Sequence, residues 1–85
     1  MPAQQWKVFA GDDLVLEVSS APGVISSTAH LPPGVAPRRS AFMSATSHDA
    51  EHEDAFHRIL EASRSVEEFL AGLRADGLRV VGAQD

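Results

Sequence analysis

HDAEHEDAFHRILEASRSVEEFLAGLRADG, residues 48–77, is the stretch whose reading decides the fold. Its apolar residues fall at Phe56, Ile59 and Leu60, with Ala55 and Ala62 beside them. That i, i+3, i+4 spacing places them on one helical face. His52 lies one turn earlier in the same stripe, with His48 and Glu53 on its flanks and Asp49 one turn before Glu53. Thr46 or Ser47 can cap the start, and the acids that follow suit the positive end of a helix dipole. Further on, Val66, Phe69, Leu70 and Leu73 make a second stripe, rotated from the first. Ser63-Arg64-Ser65 separates the two, and Ser65 with Glu68 has the spacing of a capping box. The pattern predicts two helices, roughly 48–62 and 66–76, with a single bent helix as the alternative. Gly77 can turn left-handed to end the second. Leu78 to Val81 then reads as a short strand returning to a sheet.

Working outward, Gln5 to Ala10 and Leu14 to Ser19 alternate as two strands. With Gly11-Asp12-Asp13 as a three-residue hairpin loop, Ala10 faces Leu14, Val8 faces Leu16 and Trp6 faces Val18 on the core side. On the opposite side Lys7 meets Glu17 and Phe9 meets Val15. Two apolar side chains on a wet face need a cover, so Phe9 and Val15 are the expected contact of a homodimer. Val24 to Leu31 reads as a third strand ended by Pro32-Pro33-Gly34, and Arg39 to Thr46 offers a short fourth. A structureless 21–47 would be long for a compact domain. The expected architecture is a single α+β domain over residues 1–85. It opens with an N-terminal β-hairpin in a three- to four-stranded, mainly antiparallel sheet, has two consecutive helices packed on one face, and ends in a C-terminal strand. Its expected core is Trp6, Val8, Leu14, Leu16, Val18, Ile25, Phe56, Ile59, Leu60, Val66, Phe69, Leu70, Leu73, Leu78 and Val80 or Val81.

The 85 residues carry a net charge of −5, and the charge is lopsided. Residues 1–46 balance, whereas residues 47–77 hold eight acids against Arg58, Arg64 and Arg74, which accounts for the whole excess. An acidic helical half disfavours a nucleic-acid backbone or an anionic membrane as partner, and suits a basic protein or a cation. With no cysteine there is no disulfide frame, thiolate metal site or thiol nucleophile. No apolar run has the length of a signal peptide core or a membrane span, so a cytoplasmic protein without membrane contact is expected.

Chemistry-bearing residues concentrate at the start of the first helix. His48 and His52, four apart, have the helical spacing of two zinc or other transition-metal ligands, which Glu53, Asp49, His30 or a second subunit could complete. The run His48-Asp49-Ala50-Glu51-His52 fits H-x-x-E-H and so resembles the zinc motif of inverzincin peptidases. That resemblance covers five residues. It implies His48 and His52 as ligands and Glu51 as general base; no third ligand or substrate cleft is recognisable in the chain. Asp49 and Glu53 beside His52 could also serve acid–base work, but no nucleophile, phosphate loop or cofactor fingerprint accompanies them. His57 is expected to point away from His52, toward Asp54 or Glu61. Arg38-Arg39 reads as a solvated pair and Trp6 as a core anchor.

These features predict a small non-enzymatic interaction protein, regulatory, accessory or inhibitory. It would present Asp49, Glu51, Glu53 and Asp54 to a basic protein partner, as a homodimer and without a cofactor. The other expectation is a metal- or ligand-binding protein built on His48, His52 and Glu53, with zinc or a similar ion and hydrolytic potential.

Overall fold

A computed structural model describes residues 4–28 and 36–82. The chain opens with a hairpin, β1 (Gln5–Ala10) and β2 (Asp13–Ser19). Gly11, at φ +64°, stands first in a two-residue turn, the position where hairpins of the II′ kind need a positive φ. The register runs Trp6 opposite Val18, Lys7 opposite Glu17 and Val8 opposite Leu16, then slips so that Phe9 faces Leu14 and Ala10 faces Asp13. Val15 is the extra residue of a β-bulge. This corrects the expected three-residue loop: a tight turn plus one bulged residue gives the same pairing over the first half of β1. It also corrects the Phe9–Val15 pair. Val15 is turned into the core at 1% exposure, and the Arg79 guanidinium lies over the Phe9 ring at 4.9 Å. The exposed apolar pair from which a dimer contact was expected is not formed.

Next come β3 (Gly23–Ser27), β4 (Arg38–Ser40) and β5 (Ser44–Ser47). The expected third strand is found as far as Ser27; its continuation through Leu31, with His30 and the Pro32-Pro33-Gly34 turn, lies outside the described residues. β4 runs antiparallel to β3, and the chain then rounds the start of β3 to enter β5, which pairs parallel with β3 on its other side. Gly23 makes this passage possible, since a Cβ there would meet the Ser44 Cβ at 3.0 Å. The Ser40 hydroxyl accepts from the Phe42 and Met43 amides and fixes the corner, and Met43 is fully buried. After the helices, β6 (Arg79–Gly82) returns beside β1. Among the described residues the sheet therefore has six strands, in the order β4-β3-β5-β2-β1-β6, instead of the expected three or four; its pairings are mainly antiparallel, as expected, and the parallel β3–β5 pair makes it mixed.

A short 3₁₀ turn (Ala50–His52) leads into α1 (Glu53–Ala62), and α2 (Val66–Ala75) follows. Two helices form, as the interrupted stripe predicts. The Ser65 hydroxyl accepts from the Glu68 amide at 3.2 Å, while the Glu68 carboxylate reaches the Arg64 amide at 3.1 Å. Gly77, at φ +89°, closes α2, with the Leu78 amide returning to the Leu73 carbonyl. Phe56, Val66, Phe69, Leu70 and Leu73 pack on one sheet face against Val8, Leu16, Val18, Ile25 and Ala45. Leu14 and Val81 stay outside this core, whereas Val15, Met43 and Ala45 join it unexpectedly. Among the described residues no element covers the opposite sheet face, where Val24 and Val81 are exposed. None of the helices is long and apolar enough to cross a membrane.

Candidate functional site

Three histidine–carboxylate pairs lie along the passage from β5 into α1, on both faces of the sheet. The bulge at Val15 sets the first. Its carbonyl accepts from the His48 amide at 2.9 Å, which keeps His48 at the end of the strand instead of on a helix. The His48 imidazole then lies across the sheet, with Nε2 donating to Glu17 Oε2 at 2.7 Å and Nδ1 3.1 Å from the Thr28 hydroxyl. Both ring nitrogens are engaged. Beneath it, the buried Ser47 carbonyl accepts from the Thr28 amide and hydroxyl, tying β5 to the end of β3.

Asp49 forms the second pair. It adopts an extended conformation at the N-cap of the 3₁₀ turn, with Oδ1 accepting from the Glu51 amide at 2.9 Å and Oδ2 from His52 Nδ1 at 2.7 Å. The Glu51 amide bond and then the His52 bond hold the Asp49 carboxyl below its ordinary value, against a smaller opposing effect of burial. The His52 ring stacks on Phe56, one turn on, at 5.9 Å between centroids.

The third pair departs furthest from the expectation. Glu53, the first residue of α1, is 2% exposed and turned toward the sheet. Its Oε2 lies 3.8 Å from His57 Nε2, and its Oε1 has no hydrogen-bond partner. A cavity of about 10 Å³ adjoins them, walled mainly by Leu16, Ile25, Phe56, Leu60 and Phe69, with Ser26 and Ser47 also lining it. His57 thus points inward to Glu53, not outward to Asp54 or Glu61. The signal was present in the spacing: Glu53 stands three before Phe56 and seven before Leu60, so it shares their face.

Of the expected ligand set, His48 precedes the helix, His52 is bound to Asp49, and Glu53 faces His57. The i, i+4 helical geometry that would have joined His48 and His52 is absent, because residues 48–52 are not α-helical. No cluster of three metal-ligating side chains occurs among the described residues. Of the expected partner-binding set, Glu51 and Asp54 are exposed, Asp49 is half-buried and Glu53 is buried. Comparison with known proteins returned no matching family model, no matching curated protein and no matching solved structure.

Proposed function

We propose that the protein is a non-enzymatic interaction module that offers its helical layer to a basic protein partner. The observation that carries this reading is the separation of charge between its two faces. On the helical layer Glu51, Asp54, Glu67, Glu68 and Asp76 are exposed and take part in no ion pair among the described residues, while Glu61 is bridged to Arg38 at 3.4 Å. Arg58, Arg64 and Arg74 are also exposed there and only half compensate the six acids. On the open sheet face the strand register places Lys7, Arg39 and Arg79 against one acid among the described residues, Glu17, already bound to His48. Exposed carboxylates without cations of their own steer a complementary surface and reject an acidic one. The same segregation argues against a sheet-to-sheet homodimer, which would bring like charges together.

The test is a charge reversal. Glu51→Lys with Asp54→Lys should abolish a salt-sensitive association recovered with the wild-type protein, with the circular dichroism spectrum unchanged. Retention of the partner by this folded variant, or an association indifferent to salt, would exclude the acidic layer as the docking surface. Glu53, being buried, stays out of that substitution set.

A further inference from the structure

The two edges of the sheet are built differently. A free strand edge presents a row of unpaired amides and carbonyls, and natural proteins guard it with charged side chains or proline. The β4 edge has both guards: the strand follows Pro37 and carries Arg38 and Arg39. The β6 edge has neither in place. Its sequence is Arg79-Val80-Val81-Gly82, and the Arg79 guanidinium leans inward over the Phe9 ring of the neighbouring β1 at 4.9 Å. Val81 is 40% exposed, and among the described residues nothing pairs with the outer side of β6.

We propose that β6 pairs antiparallel with β6 of a second copy across a two-fold axis, joining two six-stranded sheets end to end. A two-fold contact sets one edge against itself, so it demands an edge that does not repel its own copy. Side chains directly opposite one another share a face, which centres the register on a single residue. Centred on Val80, the pairing sets valine on valine and Arg79 opposite neutral Val81. Centred on Val81, it again sets valine on valine, with Val80 opposite Gly82. Neither register brings like charges together. Centred on its middle residue, β4 would set Arg39 on Arg39, so the same chemistry disfavours that edge. The axis stands normal to the sheet, which leaves both helical layers on one side and both basic faces on the other. Like faces then lie side by side, not opposed as in a sheet-to-sheet dimer. A four-residue edge buries little surface, so the dimer is weak and forms only as concentration rises. The contact uses no residue of the acidic docking surface, and either reading can fail without the other.

Sedimentation of the full chain from micromolar to millimolar concentration tests this. The expected result is a doubling of mass toward the high end. Salt should favour the dimer, since each chain carries a net charge of −5, whereas it weakens docking of a basic partner. Val81→Lys should remain a monomer throughout: the new lysine meets Arg79 across the axis in one register and itself in the other. Val24→Lys, at a valine 44% exposed on β3, should still dimerise. Lys7 lies opposite position 81 within the chain, so the circular dichroism spectrum of Val81→Lys must match that of the wild type. If that variant does not fold, amide exchange in the wild type decides. The β6 amides that are not bonded to β1 should exchange slowly in concentrated solution and freely on dilution. A monomer at millimolar concentration, exchange of those amides indifferent to concentration, or a dimer retained by folded Val81→Lys would overturn the proposal. Loss of the dimer in Val24→Lys would move the contact to the open sheet face and overturn it as well.

Discussion

Replacing Glu53 by methionine should stabilise the protein. Methionine has similar length and no polar head, and it adapts to an irregular gap. Relieving an unsatisfied buried polar group contributes about 1–3 kcal/mol. Against this stand two losses. A carboxylate at the first residue of α1 interacts with the helix dipole for about 0.3–1 kcal/mol, and its contact with His57, at 3.8 Å too long for a hydrogen bond, adds little. The larger effect is the relief of Oε1, so a net gain of roughly 1 kcal/mol is expected. For a domain of this size that raises the melting temperature by about 4–8 °C. The assay is thermal and urea denaturation at pH 7, with the urea slope compared to show that the unfolding transition is unchanged. A melting point lowered by about 4 °C or more would show that the carboxylate is held by partners worth more than its burial costs. The reasoning about an orphaned oxygen would then be refuted.

Two further outcomes follow from the packing and the cap. Gly72→Ala ought to gain about 1 kcal/mol of helix propensity, but the new methyl would lie 2.5 Å from Ile59 Cγ2, and overpacking against a stiff β-branched side chain costs about 1–3 kcal/mol. Urea denaturation should show a net loss of roughly 1 kcal/mol, cancelled in an Ile59→Leu background; a gain in the wild-type background would refute the close α1–α2 contact. Asp49→Ala should cost roughly 0.5–1 kcal/mol at neutral pH through the lost cap. Because the folded state holds this carboxyl below its ordinary 3.8, the unfolded chain takes up the proton first as pH falls. The wild-type advantage should therefore be whole above about pH 5 and shrink as the pH drops through and below 3.8 toward the lower folded value. A difference that stays constant to pH 2 would contradict the depressed carboxyl.

Local pattern made the helices legible. The stripes through Phe56 and through Phe69, Leu70 and Leu73, the Ser65–Glu68 spacing and Gly77 all act within a few residues of themselves, and each is found in the structure. The sheet was less legible because its determinants are distant in sequence. Nothing near Val15 announces a bulge, yet that bulge buries Val15, frees its carbonyl for the His48 amide and keeps residues 48–49 off the helix. The spacing of His48 and His52 carried a meaning only on a helix that does not begin until Glu53. Parallel pairing of β3 with β5 depends on Gly23 letting the chain pass, a close approach no periodicity encodes. Glu53 was hidden for another reason. Among five acids in the short stretch from Asp49 to Glu61, charge suggested a solvated face, and the helical phase that sets it beside Phe56 and Leu60 was overruled.

Glu53 is the acid that the fold turns inward while Glu51 and Asp54 face solvent, and the choice of docking residues rests on that division. Carbodiimide labelling of carboxylates at neutral pH, read residue by residue by mass spectrometry, measures it directly. The fold predicts rapid modification of Glu51 and Asp54, with Glu53 protected until urea unfolds the chain. Modification of Glu53 at the rate of its neighbours in the native protein would contradict the account.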